Sequence, residues 1–129
     1  MQMSDVLANA VDQDKGADLN LIAPWDGQPT GMVLTIVGPD SDTARRADIA
    51  LVDELAEMAD LDGRVTAEQR AKAKLNALAR RVIRWDVKED GNPVPFDTKA
   101  VLKLLAVGWV REQVDAFAGD HRNFAPGAR

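Results

Sequence analysis

Residues 32–41 read Met32-Val33-Leu34-Thr35-Ile36-Val37-Gly38-Pro39-Asp40-Ser41, and this run divides the chain into two kinds of structure. Its first six residues are apolar or β-branched, which predicts a strand. Gly38-Pro39 ends that strand, and either Asp40 or Ser41 can accept the first free amides of a helix. Upstream lies a second short apolar run, Leu19 to Ile22. The segment between them, Pro24-Trp25-Asp26-Gly27-Gln28-Pro29-Thr30-Gly31, is rich in turn formers. Together they predict a β-hairpin over about residues 17–38, with its tightest bend at Asp26-Gly27.

Downstream the period changes from two to between three and four. Ala44, Ala47, Leu51, Leu55 and Met58 form one apolar stripe, predicting a helix over about 41–60 whose remaining faces are largely acidic. Thr66 and Gln69 match a capping box. They open a second helix, about 66–86, with Ala71, Leu75, Leu78, Val82 and Trp85 on one face. Residues 89–93 read as a loop. Asp97 then caps a third helix (about 97–107), with Phe96 placed to pack on Val101, and Gly108 separates it from a fourth (about 109–119). The expected class is α+β and mostly α: an N-terminal hairpin followed by a bundle of about four helices. Residues 1–16 are polar and read as a loose arm or frayed turn, 17–124 as a single domain, and 125–129 as a loose tail.

Composition narrows the function. A length of 129 residues suits one domain with a modest core. The absence of cysteine excludes disulfides, thiolate metal sites and a cysteine nucleophile. The net charge of −5 argues against general attraction to nucleic acid or anionic lipid. The first residues lack the basic start and apolar stretch of a signal peptide, and no apolar run approaches membrane-spanning length. The chain is therefore expected to stay where it is made.

Groups that could carry chemistry are few. His121 is the only histidine, and neither Ser4 nor Ser41 has a base nearby in the sequence. Gly27, Gly31 and Gly38 do not have the spacing of a phosphate-binding loop. Asp60-Leu61-Asp62-Gly63-Arg64-Val65 copies the middle of an EF-hand calcium loop. Its first position, however, falls on Met58 and its twelfth on Gln69, so both anchoring ligands are missing. An ordinary interhelical turn is the better reading. The cations of the second helix lie on several of its sides, and the acidic helix before it can neutralise them. Ion pairs between the two helices are thus favoured over a nucleic-acid site. The expectation is a binding protein, not an enzyme, with no metal and no cofactor.

Aromatic residues are few and concentrated: Trp85, Phe96, Trp109, Phe117 and Phe124 lie in the C-terminal part, and Trp25 in the hairpin tip. Such side chains either fill the core or anchor a partner. Trp25 can serve as a contact or fold back onto the sheet.

Several features also recur in a familiar order. A hairpin ends in Val37-Gly38-Pro39-Asp40-Ser41-Asp42 and leads to a helix containing Arg45-Arg46. A basic helix ends in Ile83-Arg84-Trp85. Asp90-Gly91, Pro93-Val94-Pro95-Phe96, a short leucine-rich helix, Trp109-Val110-Arg111-Glu112-Gln113-Val114 and Asp120-His121-Arg122-Asn123-Phe124 follow. Over about residues 17–124 this resembles the small tail assembly chaperones of long-tailed bacteriophages and prophages. The family's usual tryptophan-glycine pair stands here as Trp85-Asp86.

The resemblance implies a protein of the host cytoplasm that binds the tape measure protein and helps recruit tail tube subunits during virion assembly. It also implies absence from the finished particle and, in many phages, a frameshifted longer form. Nucleic acid and membrane are not among the implied partners. The alternative is a structural minor tail protein retained in the virion. The partner surface is expected near Trp85, Phe96, Trp109 and Phe124, with Trp25 as a second candidate.

Overall fold

The chain from residue 1 to residue 127 is described by a computed structural model. Strands β1 (Ala17–Ile22) and β2 (Pro29–Ile36) form the expected antiparallel hairpin, with Leu19 opposite Leu34. Its tip closes where sequence chemistry placed the bend. The Gly27 amide donates to Ala23 O (2.9 Å), the Gln28 amide to Asp26 Oδ1 (2.9 Å), and Gly27 takes φ +72°, which suits glycine.

The second helix is shorter than its apolar stripe suggested. Helix α3 (Ala67–Arg81) stops at Arg81, and Val82–Asp86 becomes a third strand, β3, paired antiparallel with β2. The strand order β1-β2-β3 puts β2 at the centre. The cause is competition for backbone hydrogen bonds. A two-stranded hairpin leaves an unpaired edge on β2, and the β-branched pair Val82-Ile83 favours extended backbone. The Val37 amide accordingly donates to Arg81 O (2.9 Å) at the junction. Trp85, expected on a helix face, lies opposite Leu34 in the sheet.

The N-terminus also departs from expectation. In place of a loose arm over 1–16, Met3–Asp12 forms helix α1, and Gln13–Lys15 a short 3-10 turn. The hairpin is therefore not the first element. Gln13 is buried and fastens this segment to the turn that follows β2. Its carbonyl accepts from the Gly38 amide (3.0 Å), its Oε1 from the Asp40 amide (2.8 Å), and its Nε2 donates to Asn9 (2.9 Å). A Cβ on Gly38 would collide with the Gln13 side chain, so glycine is required there.

Helix α2 (Asp42–Met58) starts at Ser41, whose hydroxyl accepts from the Ala44 amide (3.1 Å). It packs on α3, with Ala44 and Ala47 buried on one helix and Ala73 and Ala77 on the other. Thr66 and Gln69 close the expected capping box. Residues 89–93, expected as a loop, join Lys88 in a small ribbon, β4 (Lys88–Glu89) with β5 (Asn92–Pro93). Asp90 (φ 51°) and Gly91 (φ 78°) are both left-handed at its turn. Asp97 caps α4 (Thr98–Leu105), and α5 (Gly108–Gly119) follows directly.

One core joins the inner face of the sheet (Leu21, Leu34, Ile36) to Leu78, Val101, Leu105, Val110 and Val114 from α3, α4 and α5. The C-terminal segment joins it: Phe124, only 4% exposed, lies in a 3-10 turn and packs edge-on to Phe117 (5.6 Å). Of the tail expected to be loose over 125–129, residues 128–129 lie outside the described residues.

Candidate functional site

The aromatic residues singled out in the sequence form separate pairs. Trp25 meets Trp109 edge-on at 5.6 Å, and Trp85 meets Phe96 likewise at 5.5 Å. Phe124 pairs instead with Phe117 and is spent on the core. Trp85 is half-buried, and its Nε1 donates to Val94 O (2.9 Å), tying β3 to the segment before α4. Only Trp25 (73%) and Phe96 (43%) are substantially exposed. Trp25 leans on Trp109 of α5 while most of its surface meets solvent. Gln113 steadies this corner by bonding both Ile22 N (2.9 Å) and Ile22 O (2.7 Å).

A larger apolar surface comes from the N-terminal helix. Met3, Val6, Leu7, Ala10 and Val11 recur at helical spacing, so they share one face of α1. No residue of α1 is buried, and Val11 is 69% exposed. Asp5 and Asp12 fall on the opposite side of the helix. This stripe is masked in the sequence by the polar residues between its members, and its three- and four-residue steps are the signal that marks it. Ile49 and Val52 on α2, and Leu61 in the following turn, add exposed apolar side chains.

An open cleft of about 640 Å³ lies between α3 and α5. Ala71, Leu75 and Leu78 from α3 and Ala106 from the α4–α5 connection give it an apolar lining. A second cleft, of about 700 Å³, carries Lys15, Arg84 and Arg122. Those cations are already engaged: Lys15 with Asp12 (3.2 Å), Arg122 with Asp120 (2.8 Å), and Arg84 with Lys15 O (3.4 Å).

The remaining polar groups serve the fold. Asp60 turns its Oδ1 onto the amides of Asp62 and Arg64 (2.9 Å each). Among the described residues no cluster of three His, Cys, Asp or Glu side chains is placed to hold a metal ion. Ser41 donates to Gly38 O (2.7 Å) in addition to capping α2. His121 Nε2 sits 3.3 Å from Asp40, linking the C-terminal turn to the β2–α2 connection. Arg80 pairs with Glu54, and Arg81 with Asp48 (2.7 Å), so α2 and α3 exchange ion pairs. Burial tends to raise the Asp14 carboxyl pKa, but hydrogen bonds from Thr43 and Asp42, with Arg46 nearby, hold it below its ordinary value. That carboxylate supports the start of α2 from outside the helix. Among the described residues no helix is long and apolar enough to cross a membrane.

Comparisons with protein-family models, with characterised proteins and with solved structures each gave no match for this chain.

Proposed function

We propose that this chain is a tail assembly chaperone. It binds the tape measure protein and helps recruit tail tube subunits in the host cytoplasm, without catalysis. The observation that carries this reading is the uncovered apolar face of α1, Met3-Val6-Leu7-Ala10-Val11, on a molecule of net charge −5. An isolated helix shorter than about 12–15 residues is marginal in water. One of 10 residues with nothing buried is therefore suited to gain its packing from a partner. A tape measure is long and largely helical, and its apolar stripes self-associate when naked. A small acidic protein that covers those stripes keeps it soluble. Affinity recovery of the tagged chain from cells assembling tails should bring down the tape measure protein. Recovery of the chain alone would count against the reading.

The second reading, a minor tail protein retained in the virion, is favoured by β3, an outer strand of the sheet beside which a neighbour's strand can add. Mass spectrometry of purified particles separates the two. Stoichiometric amounts of the chain would establish the structural role, and its absence the transient one.

A further inference from the structure

Helix α1 is tied to the rest of the molecule near its C-terminal end. None of its residues is buried, so packing does little to place it. It has 10 residues, and an isolated helix needs about 12–15 to persist in water. What places it is a run of side-chain amides. Asn9 Nδ2 donates to the carbonyl of Phe124 (2.8 Å), 115 residues away, and Asn9 Oδ1 accepts from Gln13 Nε2 (2.9 Å). Gln13 Nε2 also reaches Asp40 Oδ2 (3.3 Å), and His121 Nε2 sits 3.3 Å from that same oxygen. Both ties therefore arrive at the C-terminal turn, His121–Phe124, one directly and one through Asp40.

The turn has its own hold on the core. Phe124 is 4% exposed and packs edge-on to Phe117 (5.6 Å), and Asn123 Nδ2 donates to Phe117 O (3.1 Å). Dependence thus runs mainly one way. Losing α1 costs the turn a hydrogen bond at its outer side, whereas losing the turn removes the acceptor to which α1 is tied. The Asn9 amide would then stand without that partner at a half-buried site, and its bond to Gln13 passes the loss along.

We propose that the C-terminal turn is a latch for α1. With Phe124 seated, the helix and its apolar face are held in one orientation; with the turn withdrawn, they are released. The consequence for function rests on the binding reading above, since a stripe held in place meets its partner without the ordering cost of a free one. The partner face is then governed from the other end of the described chain. Linkage makes the effect reciprocal, so whatever fastens α1 also fastens the turn.

Hydrogen exchange of the free protein tests the latch with no partner present. Asn9→Thr keeps a similar helix propensity, but its side chain is too short to reach Phe124 O. Asn123→Ala loosens the turn from the core side and leaves Phe124 in place. Each should speed exchange of the α1 amides from Leu7 to Val11 about two- to tenfold, the yield of one lost hydrogen bond. Asn9→Thr should in return speed the Asn123 amide, which donates to Asp120 O (3.1 Å). The double variant should exchange α1 no faster than Asn9→Thr alone, because both changes act through one tie. Phe124→Ala should act on α1 at least as strongly as Asn123→Ala. Val101→Ala, in the buried core, also lowers overall stability but should leave α1 exchange unchanged, since α1 opens without global unfolding.

The proposal falls if the α1 amides of the unmodified protein exchange as fast as those of an unstructured peptide. It falls equally if Asn123→Ala and Phe124→Ala leave α1 as it was, if the double variant is additive, or if Val101→Ala speeds α1 as much as Phe124→Ala does. Recovery of tape measure protein from cells keeps the two readings apart. Coupled exchange without recovery retains the latch and rejects the chaperone; recovery without coupled exchange does the reverse.

Discussion

Gln13 couples segments far apart in sequence: its buried side-chain amide reaches Asn9 on one side and the Asp40 amide on the other, and its backbone carbonyl accepts from Gly38. Gln13→Ala strands the Asp40 amide and loosens the N-terminal segment, at an expected cost of about 1–3 kcal/mol in urea denaturation. Asp14, its neighbour, carries a pH dependence. Its pKa is lower folded than unfolded, so its contribution is present above the ordinary aspartate value of about 3.9 and fades as pH falls through the folded value. Asp14→Asn should make the acid limb of a melting-temperature profile shallower below about pH 4 and leave its neutral plateau nearly flat. An unchanged acid limb would remove Asp14 from that role. The caps at Ser41, Thr66 and Asp97 were legible in sequence because each works within three residues of itself. Gln13 was not, because its acceptor role reaches an amide 27 residues away.

At the level of elements, the hairpin and the main helical segments follow from periodicity, while α1 and β3 do not. Leu75, Leu78, Val82 and Trp85 continue a helical stripe past Arg81, and nothing local says that the backbone leaves the helix. The decision comes from the open edge of β2, a tertiary partner. Hydrogen exchange should show this order, with the β2 amides of Thr35 and Ile36 among the slowest and those of α1 among the fastest. Slow exchange throughout α1 in the free protein would mean that the helix is already covered. Because Leu7 and Val11 are exposed, Leu7→Ser/Val11→Ser should change stability by no more than about 0.5 kcal/mol. The same variant should reduce capture of the partner, so loss of binding with an unchanged melt separates a contact role from a structural one.

Over the whole molecule, the sequence placed Trp25 in a hairpin tip and left its exposure open; it is exposed, but the aromatic residues do not gather into one patch. Phe124 and Phe117 close the core, Trp85 pairs with Phe96, and Trp109 supports Trp25. The α3–α5 cleft was hidden in the sequence because its walls lie about 40 residues apart and meet only through the packing of α4 between them in the chain. In the proposed reading the acidic net charge and the uncovered apolar helix face belong together, since the first would keep soluble what the second holds. The most direct test is co-expression with the tape measure protein. With this chain present, the tape measure should move from the pellet to the soluble fraction and co-elute with it on size exclusion. An equal amount of insoluble tape measure with and without the chain, and no shared peak, would contradict the chaperone function.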